Sequence, residues 1–434
     1  MLGVLGLLIA IALLVVLAYK GIGAIPASLV CSLVVILTNG MPIWGSFSQA
    51  YMGGITSFVG AYFLVFISSA LFAKAMADSG AAQAVAYKFL EWFGAKRAVL
   101  VLIVTAAVLT YGGVSLFVVV FALYPIALVL LKEADLPKSI LPGILAFGAA
   151  TFTMSALPAS PQLTNVIPSQ VLGTSLTAAP FIGIFASVLM FIGGYAYFVR
   201  VEKKVRAEGI GFVPGPMDDV STFENVDKSK LPSATLSFIP MILILAAIIF
   251  LRNAFGSIEL VVYAMLAATA LTFIFNWQKL TNKKNTINQG LKDGMAIINV
   301  AVIVGFGVVV QNAPAFQSFI AFALGIDLHP YLSAVMATEI VAGITGSSSG
   351  GLTIFLNALG AEYVALGANP DVLHRLTAIA AGGLDTLPHA GGIFILMGVV
   401  GVNHKEGYKH IFWTTVAIPI VVAFICAFLA IAIY

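Results

Sequence analysis

Gly343-Ile-Thr-Gly-Ser-Ser-Ser-Gly-Gly-Leu-Thr353 interrupts an apolar run that extends from about Leu332 to Leu366. Three serines, four glycines and two threonines put hydroxyls and bare amides where lipid-facing side chains belong. Backbone that lacks partners is tolerated at membrane depth only where protein covers it or where it lines a watery cavity. The run is about 35 residues long, against roughly 20 for one crossing. The pattern therefore predicts a re-entrant hairpin: two half-length helices that enter, turn at Ser347–Gly351 and leave by the same side. A flexible loop between two ordinary spans is the rival, and it loses ground because the chain makes the same object twice.

Of the 434 residues, 61% are hydrophobic and only 9% charged, with a mean hydropathy of +1.07. Soluble domains sit near 25% charged, so the chain reads as an all-α polytopic membrane protein. A net charge of +3 says little about partners, and no stretch reads as a nucleic-acid-binding patch or a separate soluble domain. Cys31 and Cys426 both fall in apolar spans, so no disulfide framework is implied. Leu2–Tyr19 has no basic residue before it and no cleavage pattern before Lys20; it reads as a retained first span.

Outward from the serine-rich stretch, the spans fall in order. Leu2–Tyr19 and Ile25–Thr38 come first, then a polar connection, Asn39–Gln49, and a third span, Ile55–Met76. Ala82–Phe93 alternates at helical spacing and suits a helix lying in the interface. Val99–Leu131 is again too long for one span and is interrupted by Thr110-Tyr-Gly-Gly-Val-Ser115, the first hairpin. Ile140–Ala156 runs into Leu157-Pro-Ala-Ser-Pro-Gln-Leu-Thr-Asn-Val-Ile-Pro168, whose three prolines forbid a continuous helix. Pro180–Val199 closes the first half, and the polar stretch Arg200–Pro232 links it to the second. There Phe238–Leu251, Glu259–Phe275, Ala296–Val310 and an amphipathic piece, Phe316–Leu324, lead to the serine-rich hairpin. Leu373–Leu384 breaks at Asp385-Thr-Leu-Pro-His-Ala-Gly-Gly392 and resumes through Val400, and Ile411–Tyr434 ends the chain.

Both halves thus present the same order of parts. Residues 1–199 form one repeat, with a hairpin at about 99–131 and a broken helix at about 140–172. Residues 233–434 form the other, with a hairpin at about 330–366 and a broken helix at about 373–400. Each crosses five times, because a hairpin does not cross, and an odd number makes the second copy inverted. With the 200–232 linker in the cytoplasm, all of the 21 Lys and Arg except Arg252 and Arg375 fall on cytoplasmic ends, as the positive-inside rule requires. Both termini then lie outside. Inverted repeats whose broken helices meet at the midplane are the architecture of secondary transporters.

The two tips and two breaks supply the candidate substrate site: Tyr111, Gly112, Gly113 and Ser115; Ser160, Gln162, Thr164 and Asn165; Ser347, Ser348, Ser349, Gly350 and Thr353; and Thr386. No Lys or Arg lies among them. Half-helix N-termini can hold a small carboxylate, hydroxyls and amides can bond substrate hydroxyls, and unwound carbonyls can take Na⁺. The bland role for the same groups is to satisfy freed backbone. Asp385 and His389, four residues apart in one break, are the candidates for carrying a coupling proton, and Glu339 in the hairpin's first arm is another. No other cofactor is expected. Arg375 reads as an interfacial anchor, and His329, His374, His404 and His410 as surface residues. Gly346-Ser-Ser-Ser-Gly350 also fits the nucleophile elbow of serine hydrolases, which with His389 and Asp385 would make a triad. That pattern needs a strand–turn–helix context that the periodicity does not provide.

With its paired hairpins and paired broken helices, the chain resembles the gluconate permease (GntP) family of the ion transporter superfamily over nearly its whole length. Leu157-Pro-Ala-Ser-Pro161 stands where the family shows a Pro-His-Pro-Gly-Pro-like break, with Ser160 in place of the histidine. Leu387-Pro-His-Ala-Gly391 stands at a Ser-His-x-x-Asp-like segment, matched by His389. The resemblance implies an importer of small organic anions in a bacterial inner membrane, coupled to H⁺ or Na⁺ and acting as a homodimer. It also implies an elevator in which 99–172 and 330–400 move against the other spans. The hydroxyl-rich site favours a hydroxy- or sugar-acid monocarboxylate, gluconate-like or hydroxybutyrate-like. A Na⁺-coupled di- or tricarboxylate transporter is the alternative.

Overall fold

The computed structural model describes residues 2–20, 22–94, 97–114, 116–215, 218, 231–251, 253–316, 318, 328–388 and 390–434. Every element among them is helical. In chain order they are α1 (Leu2–Tyr19), α2 (Ala24–Thr38), α3 (Ile43–Asp78), α4 (Ala81–Phe93), α5 (Ala98–Tyr111) and α6 (Leu116–Ala134). α7 (Leu141–Ala150), α8 (Leu163–Leu172) and α9 (Pro180–Ala207) complete the first half. The second half holds α10 (Ala234–Phe250), α11 (Ser257–Phe275), α12 (Lys283–Asn312), α13 (Pro330–Thr345), α14 (Ser348–Ala365), α15 (Pro370–Ala381), α16 (Gly391–Val400) and α17 (His404–Ile433). Among the described residues, six helical stretches, Ile43–Asp78, Lys138–Ala156, Pro180–Ala207, Ile258–Phe275, Lys283–Asn312 and His404–Ile433, are long and apolar enough to cross a membrane.

The expected polar connection Asn39–Gln49 is mostly helix. Pro42, extended at φ −66°, caps a helix that starts at Ile43 and passes through a π-helical stretch at Ser46–Tyr51 before running on to Asp78. Its serines do not break it because Ser48 returns its hydroxyl to the Trp44 carbonyl at 2.7 Å. α9 runs to Ala207 and so takes in the first residues of the polar stretch between the halves. Most of the amphipathic piece Phe316–Leu324 lies outside the described residues.

α5 and α6 are joined by a turn, as are α13 and α14, and in each case the two arms pack together. The second turn is tighter than expected. It occupies Gly346–Ser347, and Ser348 already begins α14. Two local causes fix this. Gly346 ends α13 in the left-handed region, at φ 56°, which a residue with a Cβ enters only at a cost. Ser347 then caps α14, its Oγ accepting the Gly350 N–H at 3.2 Å. The arms approach so closely that a Cβ on Gly351 would stand 2.5 Å from the Ala342 Cα. Farther down, Ser333 and Tyr363 hydroxyls meet at 2.6 Å.

Both expected helix breaks are present. α7 passes into a π-helical turn at Phe152–Ala156 and resumes as α8 at Leu163; α15 gives way to a 3₁₀ turn at Leu384–Thr386 and resumes as α16 at Gly391. The packing has a paired character. α5 lies on α7 as α13 lies on α15, and α8 lies on α14 as α16 lies on α6. α2 lies on α12 as α11 lies on α3. α3 and α12 cross through glycines, where backbones approach closely. A Cβ on Gly305 would be 2.7 Å from the Tyr51 carbonyl, one on Gly294 would be 2.9 Å from the Ile67 Cα, and one on Gly290 would be 3.0 Å from the Leu71 Cα. Positions fall along α12 as they rise along α3, so the two helices run antiparallel.

Candidate functional site

The first break is held open by hydrogen bonds from three directions. From the hairpin, the Tyr111 hydroxyl donates to the Pro158 carbonyl at 2.8 Å, and Gln162 Nε2 donates back to the Thr110 carbonyl at 2.8 Å. From within the break, Asn165 Nδ2 donates to the Ser160 and Leu176 carbonyls, both at 2.8 Å. Thr164 donates to the Met154 carbonyl at 2.5 Å, and Ser160 Oγ accepts the Gln162 N–H at 3.4 Å. Ala159 and Ala179 sit at φ 63° and 39°, backbone that alanine rarely adopts. The Ala159 N–H bond to the Leu176 carbonyl, 2.9 Å, helps hold the first of them.

The third direction is the second half of the chain, through two residues of α15 that sequence reading misplaced. Arg375 is not an interfacial anchor. It is completely buried and bonds three carbonyls of the first break: Nε to Ala178 at 3.1 Å, Nη1 to Ala156 at 3.3 Å and Nη2 to Leu176 at 3.4 Å. Among the described residues no carboxylate forms an ion pair with it. Its neighbour His374 is no surface residue either; it too is fully buried. His374 Nε2 meets Asn165 Oδ1 at 2.8 Å, and Nδ1 meets the Thr174 hydroxyl at 2.6 Å. Because Asn165 spends both amide hydrogens on carbonyls, its Oδ1 must accept, so His374 carries its proton on Nε2. His410 is buried as well, against the Tyr197 hydroxyl at 2.9 Å. The signal for Arg375 was present in the sequence. It is one of two exceptions to an otherwise consistent charge asymmetry, and an arginine inside an apolar helix is placed by a partner.

The second break gathers acids and hydroxyls. Glu339, from α13, reaches across to the Leu384 N–H, which donates to its Oε2 at 3.0 Å. Asp385 stands close to Ser348 at the start of α14. Both carboxylates are buried, at 4% and 6% exposure, and one oxygen of each, Glu339 Oε1 and Asp385 Oδ1, has no partner among the described residues. Thr386 pairs with Thr415 of α17 through their hydroxyls at 2.7 Å, and the Tyr408 hydroxyl donates to the Thr386 carbonyl at 3.1 Å. Thr415 and Tyr408 come from a helix whose sequence gave no hint of the site.

The structure thus brings Tyr111, Ser160, Gln162, Thr164 and Asn165 together at one break, and Glu339, Ser348, Asp385 and Thr386 at the other. The two meet where Ser155 lies against Gly382, whose Cβ would stand 2.8 Å from the Ser155 Oγ. Ser347 and Ser349 face each other at 3.4 Å at the tip, and Thr353 bonds the Ser349 carbonyl one turn on. Gly350 stands beside Ser347. Gly112 and Gly113 touch α10 and α11 instead; a Cβ on either would be 2.7 Å from Met241 or Met265. Ser115 and His389 lie outside the described residues.

A cavity of about 840 Å³ opens on the side of the linker, lined by residues including Lys138, Ser139, Ile210, Met397, Asn403 and His404. Its wall touches the second break through His404, whose Nε2 lies 3.2 Å from the Pro388 carbonyl. Beside it Lys138 Nζ meets Asp218 Oδ2 at 2.5 Å, Tyr124 donates to Asp218 Oδ1 at 2.5 Å, and the Gly215 N–H donates to Oδ2 at 2.6 Å. Burial works against the ionised Asp218, but these three donors outweigh it and hold its carboxyl below the usual range.

The family description "GntP family permease" matches residues 2–433. A Bacillus subtilis protein described as uncharacterized transporter YxjC is 34% identical over 94% of this chain and 95% of its own length. An Escherichia coli protein described as a high-affinity gluconate transporter is 24% identical over 94% of each chain. A Haemophilus influenzae protein described as an uncharacterized permease is 24% identical over 87% of this chain and 81% of its own.

Proposed function

The chain belongs to the GntP permease family, and from that premise we propose that it imports a small organic anion, a hydroxy- or sugar-acid monocarboxylate, by cation symport. The observation that carries this reading is Arg375. A fully buried guanidinium bonded, among the described residues, only to neutral carbonyls leaves a positive charge at the first break, among Tyr111, Asn165 and Gln162. In a low-dielectric setting such a charge attracts one carboxylate strongly. It suits a monoanion, since a tricarboxylate would call for more positive charge. The gluconate named for the Escherichia coli relative falls within this class.

The paired packing and the antiparallel crossing of α3 with α12 support two inverted repeats, residues 1–199 and 233–434, with both hairpins re-entrant. On this reading the protein sits in a bacterial inner membrane, with the 200–232 linker cytoplasmic and both termini outside. It works as a homodimer and moves 99–172 and 330–400 as an elevator. H⁺ is the coupling ion, with Asp385 and His389 as its groups and Glu339 as a further candidate. Gly346–Gly350 lies in a helix–turn–helix, not the strand–turn–helix of a hydrolase elbow, which favours permease over enzyme.

Uptake into proteoliposomes of a panel of hydroxy acids, sugar acids and dicarboxylates, under separate inward H⁺ and Na⁺ gradients, tests the reading. Proton-driven monocarboxylate uptake is expected. Na⁺-driven uptake confined to di- or tricarboxylates overturns the substrate and ion, and no uptake of any acid overturns the class of cargo.

A further inference from the structure

We propose that Glu339 and Asp385 form one binding site for a single monovalent cation, H⁺ or Na⁺, at the junction of the second hairpin and the second break. The inference rests on the transport reading only for its consequence, which is coupling.

The site is built, not merely acidic. Glu339 crosses from α13 and lays its carboxylate on Gly383, where a Cβ would stand 2.3 Å from Oε2 and 2.6 Å from Oε1. The cradle therefore exists because position 383 has no side chain. Oε2 is fixed by the Leu384 N–H at 3.0 Å, which leaves Oε1 buried and, among the described residues, without a partner. Asp385 is the next residue along, with its Oδ1 also buried and, among the described residues, without a partner. Among the described residues neither carboxylate forms an ion pair with a Lys or Arg. Among the described residues the other titratable groups facing the break are Tyr408, bonded to the Thr386 carbonyl, and His404, bonded to the Pro388 carbonyl; His389, in the same break, lies outside them. Two like charges buried at one turn repel, and neither has the solvation to offset it. One bound positive charge removes the repulsion and gives both orphaned oxygens a partner.

The same geometry supplies the coupling. Asp385 stands close to Ser348, which opens the first turn of α14 beside Ser349, with Ser347 as its cap. That helix start carries free N–H groups and the positive dipole end, which attract Asp385 and a substrate carboxylate alike. A cation at the Glu339–Asp385 pair neutralises the internal competitor and releases the tip for the anion. Cation and anion then bind more tightly together than apart.

The test uses full-length protein in detergent and reads cation binding without substrate. The melting temperature is followed against Na⁺ at fixed pH and against pH in K⁺, for wild type, Glu339→Gln and Asp385→Asn. A shift of several degrees with one ion, lost in both variants, is expected; Na⁺ dependence assigns Na⁺, and pH dependence alone assigns H⁺. Should a variant fail to fold, wild type is treated with dicyclohexylcarbodiimide and mapped by mass spectrometry. Labelling at Glu339 or Asp385 that Na⁺ or alkaline pH suppresses supports the site. No ion-dependent shift, a shift unchanged in both variants, or labelling indifferent to both ions overturns it. Wild-type protein that binds a cation here yet takes up no acid leaves the site standing and removes the transport reading instead.

Discussion

Asn165 and His374, 209 residues apart and in opposite halves of the chain, meet at 2.8 Å with both side chains buried. The amide hydrogens of Asn165 go to two carbonyls of its own break, and its oxygen takes the imidazole N–H. One side chain thus closes the first break and joins it to α15. Asn165→Ala takes the side-chain donor from the Ser160 carbonyl and the acceptor from His374 Nε2, a loss of about 1–3 kcal/mol for each buried group left bare, while the Leu176 carbonyl keeps the Ala159 N–H and Arg375. The variant is expected to melt lower and to lose uptake. Ser348→Ala, which removes one hydroxyl at a helix start, is expected to lose uptake with little change in melting. Normal uptake by both variants would place the substrate elsewhere.

Arg375 separates charge from geometry. Arg375→Lys keeps the positive charge but cannot reach three carbonyls that its guanidinium bonds at 3.1 to 3.4 Å. Arg375→Gln loses the charge as well. If the charge attracts the anion, Arg375→Lys keeps measurable uptake with a lowered melting temperature, whereas Arg375→Gln falls at least about 100-fold, the loss that roughly 2.7 kcal/mol represents. Equal uptake by the two variants would reduce Arg375 to a staple of the break.

The helix breaks and the turns that join paired helices were legible because proline and glycine act locally: Pro158, Pro161 and Pro168 interrupt a helix, and Gly346 stops α13. The polar groups of the tips and breaks were legible for a related reason, since hydroxyls in an apolar run are conspicuous. What could not be read was which half meets which. His374 and Arg375 look like the ordinary polar start of a helix after Asn369 and Pro370. Only the packing of α15 on α8 turns them inward, onto carbonyls about 200 residues away. Thr415 and Tyr408 reach the second break in the same way, Thr415 from an apolar span and Tyr408 from the charged turn His404–His410 that precedes it. Serine at 48 misled in the other direction, because a hydroxyl returned to the preceding turn costs a helix little.

Lys138 and Asp218 tie the start of the linker to the helices beneath it, with their side chains only 8% and 3% exposed. Asp218 has its carboxyl held below the ordinary 3.8 in the folded chain. Its contribution to stability is therefore present above the unfolded value and lost as pH falls through the folded one. The melting difference between wild type and Asp218→Asn should be constant from about pH 5 to 8 and shrink below about pH 4. Lys138→Ala removes one charged donor and is expected to cost about 1.5–3 kcal/mol. A melting difference that grows on acidification would contradict this assignment.

Gly383 tests the acid cradle by shape alone. A methyl group at this position would overlap the Glu339 carboxylate, whose nearer oxygen lies 2.3 Å from where the Cβ must go. The flexible glutamate can swing away, but only by giving up the Leu384 N–H and moving off from Asp385. Gly383→Ala is therefore expected to fold, to lose a modest 1–3 kcal/mol or about that for overpacking, and to lose gradient-driven accumulation. Shortening the acid restores room, so Gly383→Ala combined with Glu339→Asp should recover part of that accumulation, while Glu339→Asp alone should not exceed wild type. This non-additivity is the signature of two residues sharing one space. Strictly additive effects in the double variant, measured as accumulation under the coupling gradient, would show that Gly383 matters for the backbone turn and not for the carboxylate above it.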